Sequence, residues 1–120
     1  MEKHRELGFF NNLLIKHLAV TQLLLQAEVT YRTIFGSQIA LLKFLNTSGG
    51  GTKEQLLLFY ETARVRFPQL YETYSFEQYL QYLLTYGLVL VRDGRYFTTV
   101  AGQEFLKWLS GASVSEYKPF

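Results

Sequence analysis

The feature that most constrains this 120-residue chain is the order in which helix starts, helix stops and a hairpin turn follow one another between Gly36 and Leu109. Ser37 precedes Ile39, Leu41, Leu42, Phe44 and Leu45, and a serine oxygen at such a position accepts an orphan N–H from the first helical turn. The Asn46-Thr-Ser-Gly-Gly-Gly51 loop reads as a flexible connector. Thr52 is a natural cap for the next helix, Lys53 to about Phe67, in which Leu56, Phe59, Tyr60 and Ala63 keep helical spacing until Pro68 ends the run.

Gln69 to Tyr74 is a turn or short helix, and Ser75 caps the helix after it. At about 100° per residue, Phe76, Tyr79, Leu80, Leu83 and Leu84 share one face. Glu77, Gln78, Gln81, Tyr82 and Thr85 share the other. Gly87 stops this helix, and Leu88 to Arg92 with Arg95 to Thr99 flank Asp93-Gly94, a strong two-residue hairpin signal. Thr99 caps a last helix through Phe105, Leu106, Trp108 and Leu109, and residues 111–120 read as a frayed tail.

Upstream, Asn11 to about Ile34 is expected to be one long helix whose apolar residues sweep about half the circumference. Leu14, Leu18 and Leu25 line one edge of that arc; Leu13, Val20, Leu24, Ala27 and Tyr31 line the other. One edge can cover its own domain while the other meets a second copy, which makes Leu13, Val20, Leu24, Ala27 and Tyr31 the candidate homodimer seam. A single helix lying across a large monomer core is the simpler alternative.

A chain of this length with 48% hydrophobic residues can bury one core without a staple. It has no cysteine, which removes disulfides and thiolate chemistry and fits a reducing cytoplasm. The most apolar stretch, Leu13 to Val29, is broken by Lys16, His17, Thr21, Gln22, Gln26 and Glu28, so neither a membrane span nor a secretory leader is expected. Twelve Lys and Arg against ten Asp and Glu give a net charge of +2, which neither demands nor excludes nucleic acid.

A helix ending in Tyr-Gly-Leu-Val, an Asp-Gly hairpin and the run Tyr96-Phe-Thr-Thr-Val-Ala-Gly-Gln-Glu-Phe-Leu106 together resemble the end of many winged-helix bacterial regulators. In those proteins a Thr-x-x-Gly step follows the wing, matched here by Thr99 to Gly102. The resemblance covers roughly residues 36–109. It implies a mainly α (α+β) winged helix-turn-helix with an extra long N-terminal helix and a two-stranded wing. One domain is expected: an N-terminal helical extension over 1–35, a winged-helix core over 36–110 and the tail. The helix Phe76 to Tyr86 takes the recognition position, and Arg92 and Arg95 take the wing.

No Lys or Arg occurs between Arg66 and Arg92, so the outward face of the recognition helix lacks the groups that read guanine and clamp phosphate. Two functions follow. The first is a non-enzymatic interaction and dimerisation module, as part of a larger regulatory protein, with Tyr71, Tyr74, Gln78, Gln81, Tyr82 and Thr85 meeting a protein partner. Tyr71, Tyr74 and Tyr82 are expected at or near the surface, where tyrosines supply contact area at low entropy cost. The second is a dimeric DNA-binding transcriptional regulator in which Gln78, Gln81 and Tyr82 touch base edges while Lys53, Arg64, Arg66, Arg92 and Arg95 hold phosphates.

Catalysis has little footing. His4 lies in a terminal stretch, His17 falls within an apolar arc, and Asp93 is explained by the turn. Glu54 and Glu61 read as solvated surface charges, and Ser48-Gly-Gly-Gly-Thr-Lys53 lacks the strand and spacing of a phosphate loop. No cofactor and no metal are expected.

Overall fold

The computed structural model describes residues 25–111, Lys118 and Phe120. The chain divides into two compact units, residues 1–33 and 34–120. Within the first, residues 25–33 are helical (α1), with Ala27 and Thr30 buried and Leu25 and Val29 exposed. Leu13, Val20 and Leu24 of the expected dimer seam lie outside the described residues. Ala27 does not have the exposure such a seam requires: it is 6% exposed, while Leu25, assigned by sequence to the opposite edge, is 58% exposed.

The second unit is mainly helical with a small antiparallel sheet, in the order α2 (Gly36–Ser48), β1 (Gly51–Thr52), α3 (Lys53–Arg66), α4 (Pro68–Tyr71), α5 (Phe76–Thr85), β2 (Val89–Arg92), β3 (Arg95–Thr98) and α6 (Val100–Gly111). Among the described residues no helix is long and apolar enough to cross a membrane. Three strands, not two, form the sheet, in the order β1-β3-β2. Gly51 pairs with Tyr96 and Thr52 with Arg95, so the glycine loop is tied into the sheet and is not a free connector. Gly50 shows why no side chain fits there: a Cβ would come within 2.6 Å of the Phe97 ring, and its φ of 121° is one that glycine tolerates.

Three of the expected caps form. Thr52 Oγ1 accepts from the Gln55 N–H at 3.3 Å, Ser75 Oγ from the Gln78 N–H at 3.2 Å, and Thr99 Oγ1 from the Gly102 N–H at 3.0 Å. In the first two, the glutamine three residues on returns the bond by accepting from the cap's own N–H at 2.9 Å. Ser37 does not cap α2. That helix begins at Gly36, the Phe35 N–H is taken by Gln38 Oε1 at 2.9 Å, and the Ser37 hydroxyl serves a tertiary contact instead.

The core joins Ile39, Leu41, Leu42 and Leu45 of α2, Leu56 and Tyr60 of α3, Tyr79, Leu80 and Leu83 of α5, and Phe105 and Leu109 of α6, all at most 6% exposed. Leu88 and Val89 bring the hairpin into the same interior. Phe120 is not frayed. Its ring packs edge-on against Phe35 and Phe67, with centroids at 5.9 and 4.9 Å.

Candidate functional site

Helix α5 turns Tyr79, Leu80 and Leu83 inward, which leaves Glu77, Gln78, Gln81 and Thr85 exposed. Tyr82 is half-buried and stacks on Tyr86, with centroids 4.5 Å apart and planes inclined by 32°. Two of the outward amides already have partners. Gln78 Oε1 completes the Ser75 cap, and Gln81 Nε2 donates to Thr85 Oγ1 at 3.1 Å. A glutamine that reads adenine needs its oxygen and its NH2 together, so the cap removes half of what Gln78 would need for bidentate base contact.

The hairpin closes on Asp93 (φ 52°) and Gly94 (φ 74°), the pair of positive φ values that a two-residue turn between twisted strands requires. Arg92 and Arg95 are cross-strand partners at its tip and both are exposed. Because Thr52 pairs with Arg95, Lys53 belongs to the same end of the unit. Arg64 and Arg66 do not. They stand eleven and thirteen residues further along α3, about 16–20 Å at the helical rise of about 1.5 Å per residue. Arg64 is engaged by Glu61, with Nη2 to Oε2 at 2.6 Å, a hydrogen bond that also raises the guanidinium's already high pKa. Arg66 lies over the Phe67 ring, 5.6 Å from its centroid. The five basic residues therefore form two separate groups and not one phosphate-binding strip.

Of the tyrosines expected at the surface, Tyr71 is buried, with 2% exposure. Tyr79 donates to Ser37 Oγ at 2.9 Å, Ser37 lies 3.2 Å from the Tyr71 hydroxyl, and Tyr71 donates to the Phe120 main-chain oxygen at 2.8 Å. With Ser37 donating to Tyr71, all three hydroxyls give a bond and those of Ser37 and Tyr71 also accept one, which is how buried polar groups avoid a desolvation cost. Tyr74 is half-buried and donates to the Gln78 carbonyl at 3.3 Å. Rings of Tyr60, Tyr71 and Tyr79 meet at centroid distances of 5.3 to 6.3 Å. Burial pushes the phenols of Tyr60, Tyr71, Tyr74 and Tyr79 above their ordinary pKa, Tyr79 furthest.

Sequence reasoning missed a groove of about 740 Å³ between α2 and α3. Ile39, Phe44, Leu58, Phe59 and Phe67 line it together with Lys118 and Phe120, and the Phe44 and Phe59 rings meet at 5.5 Å. Its signal in the sequence is an apolar residue of α3 outside that helix's buried face, Leu58, which is 66% exposed. No group of three or more His, Asp or Glu side chains able to hold a metal occurs among the described residues.

No family model, no curated protein and no solved structure matches the chain.

Proposed function

We propose that this chain is a non-enzymatic winged-helix module that binds protein through the outward face of α5 and self-associates through its N-terminal helix, in a cytoplasmic setting and as part of a larger regulatory protein. The helix–strand–helix–helix–helix–strand–strand–helix order, in which the short α4 precedes α5, supports the winged-helix reading. The observation that carries the functional reading is the α5 surface itself. It offers Glu77, Gln78, Gln81, Thr85 and the Tyr82–Tyr86 stack, with no cation, and an aromatic pair rimmed by amides and one carboxylate suits a protein surface better than a phosphate backbone.

A DNA-binding regulator is the second reading, favoured by Lys53, Arg92 and Arg95 at one end of the unit. Of the candidate seam, Ala27 is buried and Tyr31 half-buried, so Leu25 and Val29 replace Ala27 as the apolar contacts of a proposed homodimer.

The protein-binding reading is tested by using the chain as bait in three forms: unchanged, with Tyr82→Ala, and with Arg92→Ala plus Arg95→Ala. A partner retained by the unchanged and double-arginine forms and lost with Tyr82→Ala supports it. Retention that follows the arginines and ignores Tyr82 rejects it.

A further inference from the structure

The groove between α2 and α3 has a volume of about 740 Å³, within the range of roughly 300–1,000 Å³ that holds small organic ligands. Its walls are apolar and aromatic, from Ile39, Phe44, Leu58 and Phe59. Its charged side chains are of one sign, since those of Lys43, Arg66 and Lys118 are all basic. Arg66 is the best placed of the three. Its guanidinium is exposed and lies against the ring of Phe67, itself a lining residue, so the flat cation rests on the groove's own aromatic wall. Ser37 and Phe120 of the hydroxyl chain and Gln55 of the Thr52 capping box also border this space, whereas no residue of the α5 surface does.

We infer that the α2–α3 groove binds an amphipathic carboxylic acid, its hydrocarbon body along Ile39, Phe44, Leu58 and Phe59 and its carboxylate on the guanidinium of Arg66. An apolar wall alone would accept any hydrocarbon; the one-signed charge is what selects an anion, and a planar guanidinium pairs with a carboxylate through two parallel N–H donors. A medium-length alkyl chain matches the groove, since the levels of Phe59 and Arg66 on α3 are seven residues, or about 10 Å, apart. This site is independent of the protein-binding reading of α5, which involves none of its residues.

The test is a titration of the 15N-labelled chain with decanoate, and separately with decyltrimethylammonium, which carries the same tail on a cation. Decanoate is expected to shift amides of α2 and α3 saturably, with a dissociation constant of about 1 mM or tighter. The cationic probe is expected to bind at least about tenfold more weakly, and Arg66→Gln to weaken decanoate about tenfold while leaving the cationic probe's affinity unchanged or improved. Ala40 is exposed at the groove, so Ala40→Trp fills the space without entering the core and should abolish the shifts. Should that variant misfold, Arg66→Gln carries the test alone. Equal affinity for the two probes, the absence of saturable shifts on α2 and α3, or an unchanged affinity in Arg66→Gln overturns the proposal. So does a groove that ignores decanoate and responds only to an acidic amphipathic peptide.

Discussion

Gln38 on α2 donates from Nε2 to the main-chain oxygen of Tyr79 on α5, 3.0 Å away, while its Oε1 accepts from the Phe35 N–H at 2.9 Å. One buried amide thus starts α2 and ties it to α5, and at 1% exposure it has no water to replace either partner. Gln38→Leu is expected to lower stability by about 1–3 kcal/mol, because the Phe35 N–H loses its side-chain acceptor and the α2–α5 link is cut. Urea unfolding checks this; an unchanged midpoint would mean that the link is energetically neutral.

Alkaline pH should unfold the second unit more readily than it would a protein with exposed tyrosines. Burial raises the Tyr79 phenol above its ordinary value of 10.0, and the hydrogen bond to Ser37 offsets only part of that. The folded state therefore holds its proton more tightly than the unfolded chain. The contribution is fully present below about pH 10 and is lost as pH rises through the folded-state pKa, at up to about 1.4 kcal/mol per pH unit. Unfolding free energies at pH 9, 10 and 11 should fall along that series, roughly, with Tyr79→Phe flattening the fall; equal slopes in both forms would contradict the assignment.

Gly102 stands where α6 crosses the start of the hairpin. A Cβ there would collide with the Leu88 main-chain oxygen and come within 2.7 Å of the Thr98 methyl. Gly102→Ala is expected to cost about 2 kcal/mol or more by forcing α6 away from β2 and β3, although alanine favours helices. A thermal melt unchanged from that of the parent would show that α6 can shift freely.

These relationships divide what the sequence makes legible from what it hides. Thr52, Ser75 and Thr99 are readable because a cap is satisfied within three residues, and Asp93-Gly94 because the turn's φ values restrict the residues that can occupy it. Ser37 misleads because Tyr79, forty-two residues away, takes its hydroxyl, and no local rule contains that partner. Strand β1 has two residues, too few for any alternation. Tyr71 sits in a four-residue helix after Pro68, where there is no period from which to deduce a face. The groove depends on how α2 and α3 pair, and its residues are spread from Gly36 to Phe120.

Self-association, if it uses α1, should depend on Leu25 and Val29. Leu25→Glu with Val29→Glu is expected to yield a monomer in sedimentation equilibrium with unchanged helicity, since both side chains are exposed. Ala27→Glu should instead lower stability, because it would bury a charge at a site that is 6% exposed. A dimer that survives the double substitution rejects this seam.

The central claim is that α5 presents a protein-binding and not a DNA-binding face. Fluorescence anisotropy of a labelled mixed-sequence duplex, titrated with the chain at about 50 and 200 mM salt, tests it most directly, because phosphate contacts make affinity fall steeply over that range. The account predicts no more than weak binding at the lower salt, with a slope reflecting about three cations at most, Lys53, Arg92 and Arg95. Tight binding with a steep salt slope that Arg92→Ala and Arg95→Ala flatten would contradict it and make the chain a DNA-binding regulator.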